Sequence, residues 1–185
     1  MSNLFRVIPY LGSSKKNEVG SPTYFPENLG VHRVDNLNYY KVAYLATSSE
    51  CALAEKFGYL SEWKNTLLRP DMSLPKSKWA LIHYKLDESS KIFEMDNPQN
   101  LVKLKVRPSR VVTRDRTITQ NWALKVFETQ KNSGVSWWSF YNPDWGCAGI
   151  WDLKQLSVYS VEILTLEHPA FKQASIAIGK PLILS

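Results

Sequence analysis

Arg33, Tyr44 and Glu55 follow one another at steps of eleven residues and bring together a guanidinium, a phenol and a carboxylate. A guanidinium fork holds anionic oxygens in pairs, and a carboxylate carries charge that can be set against a developing cation. Tyr44 lies in the apolar run 42–46, which reads as a buried strand. Thr47, Ser48 and Ser49 follow it, the residue types that cap a helix. Glu55 falls on the helix predicted over 49–60, whose apolar content is Ala52, Leu53, Ala54 and Phe57. Its neighbours at helical spacing are Cys51, Ala52, Gly58 and Tyr59, a face too small and apolar for an ordinary solvated carboxylate. Taken singly, each residue has a plainer reading. Glu55 could be an exposed position beside Lys56, Tyr44 a core tyrosine with a satisfied hydroxyl, and Arg33 a loop arginine in water. Together they describe one converging pocket.

The elements that must position these residues can be read in order. Residues 5–10 form a first strand containing Arg6, and 11–30, rich in Gly, Ser, Pro and Asn, form a long surface loop. Beyond Pro70 and Pro75, residues 79–86 and 91–95 read as strands joined by a turn at 87–90. A helix is predicted over 119–131, stopped by Gly134. Strands over 135–141 and 147–151 flank the turn residues Asn142, Pro143 and Asp144. Residues 157–166 are β-rich, and 168–178 read as a terminal helix. Strands that follow one another directly favour an α+β fold, a single domain over 1–185 with a mixed, mainly antiparallel β core and flanking helices. No Gly-rich loop follows any strand, which excludes a Rossmann or P-loop nucleotide site.

Composition narrows the class. With 185 residues, 44% hydrophobic and 22% charged, the chain has the make-up of a globular domain with one core. No apolar run reaches the roughly eighteen residues of a membrane span, and the first residues do not pattern as a secretory signal, so no membrane partner is expected. Two cysteines, Cys51 and Cys147, and three scattered histidines show no metal-ligand spacing. No metal is expected, and a reducing cytoplasm fits. The net charge of +6 suits an anionic ligand. Lys103, Lys105, Arg107, Arg110, Arg114 and Arg116 form its densest run, either a solvated edge or a phosphate-facing patch.

Three segments carry a family likeness. His32-Arg33-Val34-Asp35, then Val42 to Ser48 through Tyr44-Leu45-Ala46, then Ala52-Leu53-Ala54-Glu55 resemble the core of the RES-domain family, named for its Arg, Glu and Ser residues. Arg6 in Phe5-Arg6-Val7 matches an arginine that the family carries in its opening strand. Gly134 to Ser139 followed by Cys147 to Trp151 is similar to the family's serine-bearing segment, with Ser139 as the matching serine and Ser136 as the alternative. The likeness spans most of residues 5–152. It implies an ADP-ribosyltransferase-like fold and cleavage of NAD at the nicotinamide–ribose bond, by the toxin of a bacterial toxin–antitoxin pair. NAD is then substrate, with no other cofactor, and a cognate antitoxin and a homo-oligomer are the partners to look for.

On this resemblance Glu55 stabilises an oxocarbenium-like transition state and holds a ribose hydroxyl. Arg33, then Arg6, bind the pyrophosphate, Tyr44 borders the nicotinamide, and Ser139 orients the ribose or carboxamide. One departure matters: Val34 and Asp35 stand where the family often has an aromatic residue and Asn. An acid beside Arg33 is expected to weaken a phosphate contact or to turn outward. Two other readings compete. Transfer of ADP-ribose to a macromolecule often uses a second acidic residue two positions before the glutamate, here Leu53. A non-enzymatic single-strand binder would use Trp137, Trp138, Tyr141 and Trp145 as stacking platforms.

Overall fold

The apolar residues of the first ten positions, Leu4, Phe5, Val7 and Ile8, need cover on two sides, and the chain provides it by placing that segment inside a sheet. In this computed structural model, which describes residues 2–27 and 29–184, β1 (Ser2–Tyr10) pairs along its whole length with β4 (Lys78–Leu86). The remaining strands are β2 (Ala43–Ala46), β3 (Trp63–Lys64), β5 (Ile92–Glu94), β6 (Gly134–Trp138), β7 (Gly146–Ile150), β8 (Leu156–Ile163) and β9 (Leu182–Ile183). Seven of them form one sheet in the order β5-β6-β7-β2-β1-β4-β8. Only the β5–β6 pair in it is parallel. The helices are α1 (Ser49–Phe57), α2 (Pro98–Leu104), α3 (Arg116–Glu128) and α4 (Pro169–Ala177). The fold is α+β.

Period-two alternation divides the core between the sheet's faces. Val7 and Leu81 join Leu53, Phe57, Trp63 and Phe171 on the side where α1 and α4 pack. Ile8, Ala80 and Ile82 turn the other way, to Phe25, Leu45, Tyr84 and Ile150. Phe25 belongs to the long loop, whose residues 11–25 are tied to the body of the fold. Leu11 N–H bonds the Gly20 carbonyl at 3.0 Å, and the Tyr84 hydroxyl donates to the Pro22 carbonyl at 2.7 Å. Gly20 closes that loop with φ +89°, a left-handed conformation in which a side chain would also strike Leu11, Ser14 and Leu74.

Three connections differ from the sequence reading. The turn at 87–90 forms, but β4 and β5 do not pair; β5 crosses to the far edge of the sheet and runs parallel to β6. Helix α3 ends at Glu128, with Gln130 in the left-handed region, so Gly134 opens β6 and does not stop the helix. The strand expected over 135–141 ends at Trp138, which leaves Ser139 in the connection to β7. No helix among the described residues is long and apolar enough to cross a membrane.

Candidate active site

Strands β1 and β2 are neighbours in the sheet, yet they share one paired position, Phe5 opposite Ala46. A cavity of about 270 Å³ opens beside that junction, walled by Arg6 of β1, Tyr44 of β2, Glu55 of α1 and Trp137 of β6. Arg33, Lys56 and Arg116 also line it, so four cations surround a single carboxylate.

Ser48 starts α1 by accepting from the Cys51 N–H at 3.2 Å, and the helix then carries Glu55 to the cavity about two turns later. The Glu55 side chain is solvent-accessible but not free. Its Oε1 accepts from the Ser139 hydroxyl at 2.6 Å and from the Cys147 thiol at 3.3 Å. Ser139 is 2% exposed and is fixed in turn. Its N–H donates to the Trp145 carbonyl at 2.7 Å, and its hydroxyl accepts from Tyr141 N–H at 3.1 Å. A bond to Cys51, together with burial, holds the Cys147 thiol well above the ordinary thiol range. It serves as a donor to Glu55 and not as a thiolate nucleophile.

The opposite wall is a loop, 30–36, held by contacts far along the chain. Arg33 Nη1 donates to the carbonyls of Val111 and Thr113 at 2.9 and 3.0 Å. Gln120 of α3 donates to the Gly30 and His32 carbonyls. Asp35, expected to weaken the arginine's contact or turn outward, turns inward at 2% exposure. It accepts from the Tyr44 hydroxyl at 2.8 Å and from His32 N–H at 3.0 Å, while Tyr44 accepts from Val34 N–H at 3.0 Å. The neighbouring Val34 is fully buried against β7, where Gly149 leaves no side chain to meet it, and Asp35 is buried beside it with its oxygens satisfied by Tyr44 and His32.

Charge and burial act together here. Burial, and then the Arg116 charge, hold the Arg33 pKa below its ordinary value, with Glu55 acting the other way. Burial also lowers that of Arg6, which donates to the Tyr24 carbonyl at 3.1 Å and lies over the Phe25 ring. Burial raises the Tyr44 pKa, and the hydrogen bond to Asp35 raises it further, so the phenol stays protonated. Arg6 and Arg33 are both half-buried and both line the cavity, and guanidinium groups with donors to spare suit an anion.

No protein-family model and no curated protein matches the chain. Among solved structures, it is similar to a chain of the M. tuberculosis MbcT–MbcA toxin–antitoxin complex. The TM-score is 0.62 at 12% identity, over 97% of this chain and 90% of that one. The fold is shared.

All five residues singled out from the sequence, Arg6, Arg33, Tyr44, Glu55 and Ser139, meet at or directly behind this cavity. Ser136 does not: it faces a separate depression with Glu94, Asp96 and Trp138. The sequence reading passed over His32, Lys56 and Phe140, which also line the cavity. It left the basic run as either a solvated edge or a phosphate-facing patch; only Arg116 of that run lines the cavity. Lys103, Lys105, Arg107 and Arg110 are exposed. Cys51 and Cys147 lie 96 positions apart, beyond any ligand spacing legible in sequence, yet their sulfurs are 3.9 Å apart. The adjacent Trp137 and Trp138 diverge, and it is the buried one, Trp137, that lines the cavity.

Proposed function

We propose that this protein cleaves NAD between nicotinamide and ribose, with water or phosphate as acceptor, and acts as the toxin of a toxin–antitoxin pair. The observation that carries the reading is the single carboxylate, Glu55, held by Ser139 at 2.6 Å in a cavity lined by Arg6, Arg33, Lys56 and Arg116. A cavity of about 270 Å³ is near the lower end of small-molecule sites, which suits the nicotinamide riboside half of NAD with its pyrophosphate at the arginines.

Breaking the glycosidic bond sends its electron pair to the nicotinamide nitrogen and leaves positive charge on the ribose. Glu55 is the group proposed to stabilise that charge, and the bonds from Ser139 and Cys147 that orient it are already made without substrate. Water or phosphate then adds to the ribose carbon, and a proton leaves to solvent. Trp137 and Tyr44 give the ring an aromatic border, their rings 6.3 Å apart and edge-on to each other. Leu53, the position at which a transferase often has its second acid, is fully buried in the core, which favours the small acceptor. The toxin assignment draws its support from the fold shared with a chain of a toxin–antitoxin complex.

The deciding experiment incubates purified protein with NAD, with and without phosphate, and follows free nicotinamide. Release that disappears in Glu55→Ala is expected. No release with either acceptor, or undiminished release by the variant, overturns the proposal.

A further inference from the structure

The geometry points to a site for a thiophilic divalent cation, of the zinc type, formed by Cys51 Sγ, Cys147 Sγ and a Glu55 carboxylate oxygen. These ligand atoms all lie within 4.8 Å of one another. The two sulfurs are 3.9 Å apart, and Cys147 Sγ is 3.3 Å from Glu55 Oε1. A tetrahedral zinc ion with Zn–S near 2.3 Å and Zn–O near 2.1 Å requires edges of about 3.8 Å between sulfurs and about 3.6 Å from sulfur to oxygen. Two edges of such a tetrahedral face, sulfur to sulfur and Cys147 sulfur to oxygen, are already met to within a few tenths of an ångström, and the third, from Cys51 to the carboxylate, lies within 4.8 Å and closes by a small turn of the Glu55 side chain. A disulfide, by contrast, requires the sulfurs to approach to about 2.05 Å.

The surroundings fit the ion. Cys51 is held in the first turn of α1 and Cys147 in β7, so the ligands come from rigid elements. Cys147 and Glu55 line the cavity, which gives a path of entry and leaves the fourth position to a water or an anion from that side. Each thiol that binds releases its proton to solvent. Two thiolates and a carboxylate then exceed the dication by one negative charge, which Arg33 and Arg116 face across the cavity. An ion seated there holds the carboxylate that the proposed NAD cleavage uses, so it inhibits. That consequence rests on the functional reading above; the metal site does not.

The test uses the full chain, reduced and freed of metal by chelation. One equivalent of Co²⁺ is expected to produce a thiolate-to-metal band together with tetrahedral d–d absorption, both lost when one equivalent of Zn²⁺ is added. The band falls by about half or more in Cys51→Ser and in Cys147→Ser, and vanishes in the double variant. Circular dichroism shows whether the variants fold. Independently of them, Zn²⁺ is expected to slow alkylation of both cysteines in the unaltered protein at least tenfold. A cobalt spectrum without the thiolate band, or alkylation unaffected by Zn²⁺, overturns the site. Nicotinamide release is expected to fall at least tenfold with one equivalent of Zn²⁺ and to return on chelation; release unaltered by the bound ion overturns the inhibition. If the metal-free protein releases no nicotinamide at all, the functional reading fails while the cobalt spectrum still decides the metal site.

Discussion

The two walls of the cavity are built in opposite ways. Glu55 stands on a regular helix, accessible to solvent, and is steadied by two donors from the β6–β7 hairpin. Arg33 and Tyr44 face it from a loop and a short strand whose position depends on Asp35, a carboxylate withdrawn almost completely from water. One wall presents its acid to the cavity; the other buries its acid to orient what the cavity sees. The contrast teaches that the carboxylate proposed to act on substrate can tolerate water because the helix supplies its rigidity. Ligand-holding groups on a loop need a buried polar network instead, since nothing in the loop's own backbone pattern fixes them. Changes on the helix wall should therefore alter chemistry with little cost in stability, and changes on the loop wall should do the reverse.

The largest effect expected is at Glu55. Glu55→Gln removes the charge and keeps the shape, and nicotinamide release should fall by about 10²–10³-fold, the scale set by losing one preorganised electrostatic contact. The melting temperature should hold, because the side chain is solvent-accessible. A large drop in melting temperature would mean that the two walls do not differ as argued. Next comes Asp35→Ala, which strands the Tyr44 hydroxyl and the His32 N–H in a buried site. A loss of roughly 2–4 kcal/mol is expected in denaturant unfolding, since each unsatisfied group costs its desolvation. A loss below about 0.5 kcal/mol, the scale of an ordinary surface substitution, would show that the network does not hold the loop.

How much of this was legible beforehand follows from the same physics. The strand 42–46, the caps after it and the helix bearing Glu55 are local patterns, and they appear where periodicity and capping put them. Helix α2 carries its own signal, Asn97 as cap before Pro98 in the first turn, and attention to that pair would have found it. The pairing of β3 with β9 joins two-residue strands more than a hundred positions apart, too short to leave a pattern. Asp35 illustrates the limit best. It is buried by bonds to Tyr44 and His32 beside a Val34 that meets Gly149, a contact between segments that no spacing rule connects. The same holds for Arg116, whose place in the cavity depends on where α3 begins, and not on the charge run around it.

Alkaline pH probes the loop wall without mutation. Burial raises the pKa of Tyr40 from near 10 to about 12, and Tyr44 is shifted in the same direction. Both groups prefer the protonated form in the folded state. Their contribution to stability is therefore complete below pH 10, where the unfolded tyrosines are also protonated, and declines as pH rises above it, for Tyr40 until about 12. Unfolding free energy measured across this range should fall, and tyrosinate absorbance should rise late and together with loss of structure. A Tyr44→Phe variant should soften the decline. Ionisation of these tyrosines near pH 10 in the intact fold would show the phenols to be more open than the hydrogen bonds of Tyr44 and Tyr40 imply.

Ser139→Ala gives the smallest expected effect and the finest test, because it acts on the helix wall through a partner. The hydroxyl donates to Glu55 at 2.6 Å and accepts from Tyr141, so its removal releases one side of the carboxylate and leaves one N–H unmet. Stability should fall by about 1 kcal/mol. If Ser139 positions the acid, kcat should fall about tenfold with KM for NAD nearly unchanged, since the carboxylate stays charged but is less ordered when positive charge develops. If Ser139 holds the ribose or carboxamide itself, as the family likeness implies, KM should rise along with the loss in kcat. The split between the two constants assigns Ser139 either to the acid or to the substrate. Cys147, which donates to the same oxygen at 3.3 Å, sets a floor under the loss by continuing to steady Glu55 when the serine is gone.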